Sequence, residues 1–250
     1  HSLGLGHSSN TNDVMYFASS SATDLSANDS NRADDVQRCG QTVDAFASQL
    51  VVAPGTIIID TNGRKLYYVL SATSAYAYPI SVGRDGFTWT GTQKITKKAE
   101  WPDWHPPTEM IERQPYLPRF MAGGDGNPLG ARAMYLGATV YRIHGTNKPK
   151  AIGRRASSGC VRMYDDEIEW VFKNVPNGTK VTSIDQPIKM AWIDGAFYIE
   201  AEPNDLQIDE IEYHNRQMTI DIPDGIIAKI RAKAGDDVDK IDWEKVRNVL

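Results

Sequence analysis

The sequence predicts a mostly-β domain with one short central helix, followed by a small helical C-terminal segment. Two observations carry this. Short β-rich runs recur around turn dipeptides: Thr56–Asp60 and Lys65–Leu70 flank Asn62-Gly63, and Met190–Ile193 and Phe197–Glu200 flank Asp194-Gly195. Asn-Gly and Asp-Gly tolerate positive φ, so each pair of runs reads as a hairpin. One stretch instead places Ile168, Val171 and Phe172 at helical spacing, between acidic Asp165-Asp166-Glu167 and the stop Pro176-Asn177-Gly178.

With 250 residues, 41% of them hydrophobic, the chain can build one sizeable core and a small appendage. Residues 1–52 read as a polar leader, partly disordered, with a Ser- and Asn-rich stretch at Ser19–Ser30 and a helix within Asp34–Leu50. Residues 53–186 form the main domain and 187–250 a C-terminal hairpin and helical segment. Within the main domain, Tyr76–Val82 reads as a third strand ending at Gly83. Trp101–Pro128 is long, irregular and proline-rich, and a long loop in a compact domain is usually functional. Ala133–Leu136 and Thr139–Ile143 are strands leading into His144. Asp165 is the expected N-cap of the central helix, with Asp166 and Glu167 suiting its first turn. Lys180–Ile184 returns as a strand. Ile226–Ala234 and Trp243–Leu250 are the C-terminal helices, the second amphipathic and expected to pack on the body.

Composition excludes several classes. Net charge is −5 and no Lys/Arg stripe appears, which argues against nucleic acid as a partner. No run of about 18 apolar residues suggests a transmembrane helix. The start, His1-Ser2-Leu3-Gly4-Leu5-Gly6-His7, lacks the basic and apolar regions of a signal peptide, so localisation must follow from function. Two cysteines, Cys39 and Cys160, make no disulfide framework. Without Cys-x-x-Cys or His-x-x-x-His to complete a ligand set, no metal and no cofactor is expected.

His144-Gly145-Thr146 precedes Ser157-Ser158-Gly159-Cys160-Val161-Arg162 in the chain, with Gly153 between them. These residue types suit acyl transfer. A free thiol is only slightly ionised near neutrality, so a cysteine nucleophile needs a base. An imidazole takes the proton and later returns it to the leaving amine. The tetrahedral intermediate needs N–H donors, which an unencumbered chain at Gly159-Cys160 can offer. Arg162 sets a fixed cation near the thiol. Each piece alone has a bland reading, a structural His or a core thiol; the combined string is specific.

That string matches, at every fixed position, H-G-T, six residues, G, three residues, S-x-G-C-x-R. It resembles the signature of the L,D-transpeptidase (YkuD-type) catalytic domain. Trp101-Pro102-Asp103-Trp104-His105-Pro106-Pro107 and Met121–Arg132 are similar to the alphaproteobacterial version. The resemblance implies a β-sandwich with one short helix. It implies periplasmic action on peptidoglycan stem peptides, part of cell-wall and cell-shape biosynthesis, by an exported enzyme whose signal peptide is absent from this chain. Cys160 would attack the diaminopimelate–D-Ala amide, with His144 as base, the Gly145 carbonyl orienting the ring, and the amides of Gly159 and Cys160 as oxyanion donors. The thioester would pass to an amine, either of a second stem (a 3-3 crosslink) or of an outer-membrane protein. Carbapenems, which resemble an activated amide, would acylate Cys160. Arg162, Ser157, Ser158, Thr146, Arg155 and Trp104 are the expected substrate contacts. Ser158 departs from many members, which carry His there.

Other residues keep two readings. Trp101, Trp104 and Tyr116 line a groove or pin the long loop. Arg154 and Arg155 grip substrate carboxylates or sit as solvated loop charges. His105 reads as a bystander, Tyr135 and Tyr141 as packing residues, and Cys39 as a free leader thiol or a partner of Cys160. Competing functions are an L,D-carboxypeptidase using water, a silent wall-binding module and a sortase-like enzyme. The pairing of His144 with Cys160 argues against the second, and Arg162 two residues past the thiol against the third.

Overall fold

The computed structural model describes residues 15–16, 53–71, 74–193, 196–202, 206–207, 210 and 225–249. The expected leader stretch Ser19–Ser30, the helix within Asp34–Leu50 and Cys39 lie outside these. The described residues fall into two compact units, 53–185 and 15–16 with 186–249.

In chain order the elements are β1 (Met15–Tyr16), β2 (Ile57–Asp60), β3 (Lys65–Ser71), β4 (Ser74–Pro79), β5 (Val82–Gly83), β6 (Gly91–Glu100), α1 (Thr108–Arg113), β7 (Arg132–Leu136), β8 (Arg142–His144), β9 (Arg155–Ser157), β10 (Val161–Arg162), α2 (Asp165–Asn174), β11 (Lys180–Ile184), β12 (Ile188–Ile193), β13 (Ala196–Ala201), α3 (Ile226–Ala234) and α4 (Trp243–Val249). The mostly-β reading holds, and eight strands form one sheet in the order β10-β8-β7-β6-β11-β2-β3-β4.

β6 makes this sheet fold over. Its first half pairs with β11 (Lys94 opposite Lys180) and its second with β7 (Ala99 opposite Ala133). The two halves then share one core: Ile57, Leu66 and Tyr78 from one side, Met134, Ile143 and Val161 from the other, with Ile168 and Val171 of α2. Each fully buried Ile or Leu there contributes about 1.5–3 kcal/mol by leaving water. Trp170 of α2 lies edge-on to Tyr76, centroids 4.8 Å apart. Just past β4, Ser81 meets β10: the Ser81 amide donates to the Arg162 carbonyl and the Arg162 amide to Ser81, both at 2.9 Å. The chain leaving one sheet edge is thereby bonded to the other, which fixes β10 beside the cavity described below.

Four expectations change, the first being that the strand read at Thr139–Ile143 occupies only Arg142–His144, the residues before it forming a turn. The first hairpin turns through four residues, Thr61–Arg64, and its positive φ falls on Arg64 (51°), outside the Asn62-Gly63 pair. Asp60 Oδ1 accepts the amides of both Asn62 and Gly63 (3.1 and 3.0 Å), and Arg64 Nη1 donates to the Asn62 carbonyl at 2.8 Å, so side chains dictate this turn. The single strand expected at Tyr76–Val82 is split into β4 and β5 at Ile80-Ser81. Asp165 is not an N-cap: Tyr164 holds that position and Asp165 opens the helix, its carboxylate turned to another task.

In the second unit, β12 and β13 form the expected hairpin and β1 pairs in parallel with β13. Phe197, Ile199, Ile226, Ile230 and Val246 make its core. Buried Lys189 bridges Glu200 (3.1 Å) and Glu202 (3.2 Å).

Candidate active site

Strand pairing brings the two halves of the motif together. β8 ends at His144 and β10 begins one residue after Cys160; they run parallel, with Arg162 opposite His144 and Val161 opposite Ile143. The Met163 amide donates to the His144 carbonyl at 2.9 Å. His144 and Cys160 thus line one cavity of about 700 Å³, together with Arg142, Arg162, Ser158 and Trp104.

The loop that carries Cys160 is set by its own residues. Gly159 has φ +105°, a region that disfavours L side chains, and a Cβ there would lie 2.5 Å from Tyr141 Cε1. Tyr141 packs: its ring stacks on Trp89 at 5.2 Å and 12°, while Trp89 Nε1 donates to the Gly159 carbonyl at 3.1 Å. Ser157 is buried, accepts the Gly159 amide at 3.1 Å and donates to the Cys160 carbonyl at 2.5 Å. Its hydroxyl is therefore committed to shaping the loop. The Gly159 amide is likewise engaged, which leaves the Cys160 amide as the better oxyanion candidate of the two.

His144 is 3% exposed, and its Nδ1 lies 2.6 Å from the Gly145 carbonyl oxygen. A carbonyl only accepts, so Nδ1 carries the proton and Nε2 is left basic. Burial, and then the positive charge of Arg162, push the imidazole down to about 3, while the backbone carbonyls of Gly145 and Leu129 pull the other way. The ring is neutral at pH 7.

Asp165 holds the turn that carries this ring. Its Oδ1 accepts the Thr146 amide at 3.0 Å. A side chain at Gly145 or Gly130 would overlap that carboxylate, so both positions need glycine. Burial raises the Asp165 carboxyl, and the amides of Thr146 and Ala131 oppose the rise. Sequence reasoning missed this role because Asp before a helical stretch already has an explanation as a cap.

Cys160 is a partly exposed free thiol with Sγ 3.8 Å from the Val140 carbonyl. Loss of water raises its pKa; Arg142, by charge and by hydrogen bonds from backbone and side chain, and then Arg162 lower it. Arg142 was also missed. Its Nη1 donates to the same Val140 carbonyl at 3.2 Å, and its Nε is buried without an acceptor among the described residues. A signal existed: on a strand, residues two apart share a face, so Arg142 projects with His144.

The other expected contacts divide. Arg162, Ser158 and Trp104 line the cavity. Trp104 also pins the long loop, exchanging backbone bonds with Met121 at 2.8 and 2.9 Å. Thr146 is buried, its hydroxyl accepting the Lys148 amide at 3.0 Å. Arg155 turns away, to Asn62 Oδ1 (2.8 Å) and Asp185 (3.6 Å). Tyr116 is 81% exposed, and His105 packs on Phe120 at 5.1 Å. Among the described residues no cluster of His, Cys, Asp and Glu suits a metal ion, and no helix is long and apolar enough to cross a membrane.

The chain is similar in sequence to known proteins. Residues 54–182 match the model of the YkuD family, described as the L,D-transpeptidase catalytic domain. "Probable L,D-transpeptidase YbiS" of Escherichia coli is 33% identical over 217 residues, covering 81% of this chain and 68% of the relative. "Probable L,D-transpeptidase ErfK/SrfK" of the same organism is 38% identical over 146 residues, covering 55% of this chain; the chain spans 46% of that relative's length. In Fuscovulum blasticum, an alphaproteobacterium, the ORF 5 protein of the ATP synthase subunits region is 38% identical, over 51% of this chain and 68% of its own. The chain belongs to the L,D-transpeptidase family of the YkuD type.

Proposed function

We propose that this protein transfers acyl groups between peptidoglycan stem peptides through a thioester on Cys160, outside the cytoplasm. His144 Nε2 takes the thiol proton as Sγ attacks the carbonyl carbon of the amide between diaminopimelate and the terminal D-Ala. Negative charge moves onto the carbonyl oxygen, where the Cys160 amide donates, with the Arg142 and Arg162 cations nearby. The C–N bond then breaks and His144 returns its proton to the departing D-Ala nitrogen. In the second half an acceptor amine attacks the thioester, His144 removes the amine proton, and the thiol leaves reprotonated. The acceptor is a second stem peptide or an amine of an outer-membrane protein.

The observation that carries this reading is the Nδ1–Gly145 carbonyl contact, which leaves Nε2 as the basic nitrogen in the cavity that Cys160 shares. A carbonyl here fills the orienting role that a carboxylate fills elsewhere.

The test is product analysis by mass spectrometry after incubation with disaccharide-tetrapeptide, alone and with D-methionine. Release of D-Ala with a dimer or an exchanged product is expected. Tripeptide alone would make water the acceptor and the enzyme a carboxypeptidase. Absence of any product, with reductant present, would refute the acyl-transfer reading.

A further inference from the structure

Arg84 and Arg113 reach one aromatic ring from separate parts of the chain. Arg84 Cζ lies 4.5 Å from the Phe87 ring centroid and Arg113 Cζ 4.8 Å. All three residues line the cavity that holds Cys160 and His144. Arg84 is coupled to the nucleophile loop, since its amide donates to the Ser157 carbonyl at 3.1 Å. Arg113 comes from the last turn of α1, inside the long Trp101–Pro128 loop.

A guanidinium stacked on a ring is held in place while its N–H edge stays free to bind. Two cations on one ring repel each other, and a bound anion relieves that repulsion. The structure supplies no such anion from the protein. Arg132 and Arg155 have carboxylate partners, but among the described residues Arg84 and Arg113 form no ion pair. The cavity wall also carries Arg142, Arg162 and Lys148, against a single acid, Glu109. Arg155, which the sequence offered for gripping carboxylates, is bound to Asn62 and Asp185.

We propose that Arg84 and Arg113 form a carboxylate clamp at the wall of the catalytic cavity, which holds a free carboxylate of the donor peptide and selects acidic over amidated donors. This rests on the reading that a peptide acylates Cys160. Both forks rest on Phe87, and the clamp fixes the donor between the body and the long loop.

The test compares a tetrapeptide donor bearing free carboxylates with the same peptide capped as primary amides. Wild type, Arg84→Met, Arg113→Met and the double variant are assayed; Met keeps Phe87 covered while removing charge. Wild type is expected to favour the free acid in kcat/KM. The double variant is expected to lose about 10- to 100-fold on the acid, mostly in KM, the scale of hydrogen bonds to a charged group. The acid-to-amide ratio then falls towards one, and each single variant lies between. An unchanged ratio in a double variant that retains its melting temperature would overturn the clamp. If the double variant does not fold, an unchanged ratio in both single variants would overturn it equally. Failure of wild type to release product from either donor would overturn the acyl-transfer reading itself.

Discussion

His144 Nδ1 lies 2.6 Å from the carbonyl oxygen of its own chain neighbour, Gly145, so one peptide unit fixes both the tautomer and the direction of the ring. With its pKa at about 3, the folded ring stays neutral where the unfolded chain's histidine, near 6.5, takes a proton. The sign follows: the unfolded state binds more protons between these values, so stability falls as pH drops from about 6.5 towards 3. The slope from this group is at most about 1.4 kcal/mol per pH unit. NMR of the ring should show no titration between pH 5 and 8, and His144→Gln should flatten stability over the acid range. A titration near 6.5 would contradict the neutral ring.

Arg142 should control the reactivity of the thiol. It is the main influence opposing the rise that burial imposes on Cys160. Arg142→Met should raise the pH at which iodoacetamide labels Cys160 and slow labelling near pH 7. Arg142→Lys should restore part of this. An unmoved profile would deny Arg142 any influence on the sulfur.

Asp165 should matter for activity without touching the substrate. Asp165→Ala leaves the Thr146 amide without its acceptor and opens space beside Gly145, at a cost of about 1–3 kcal/mol. Calorimetry checks the stability, and kcat should fall with KM little changed as the ring loses its setting. Asp165→Asn keeps an oxygen for the amide and should recover most of both. Equal loss in the Asn and Ala variants would make the charge, and not the amide bond, the operative feature.

Gly159→Ala should be severe for two separate reasons, the positive φ and the collision with Tyr141. Strain and overpacking together cost about 2–4 kcal/mol. Tyr141→Leu in the same chain should recover the packing part alone, as read by chemical denaturation. Full recovery would show that φ at Gly159 carries no strain.

Much of the fold was legible because strands advertise themselves by composition. β11 coincides with the expected Lys180–Ile184, and α2 ends at Asn174, just before the expected stop Pro176-Asn177-Gly178. β6 escaped notice: of Gly91–Glu100 only Ile95 is buried, so no alternation marks it. That strand bends the sheet over its core, and thus the sandwich came from the family resemblance and not from periodicity. The candidate site was legible through the order of its residues, His144 to Arg162, which line one cavity. Its electrostatics were legible only in part: Arg162 stands in the motif and Arg142 shares a strand face with His144, whereas Asp165 acts through a contact that the folded chain alone creates.

The most direct test of Cys160 as nucleophile is acyl-enzyme trapping. Protein is mixed with tetrapeptide donor without acceptor, quenched in acid and mapped by tandem mass spectrometry. A tripeptide acyl group is expected on the peptide containing Cys160, formed as D-Ala is released, with no adduct and no D-Ala from Cys160→Ala. An adduct on another residue, or D-Ala released by Cys160→Ala at the wild-type rate, would contradict it.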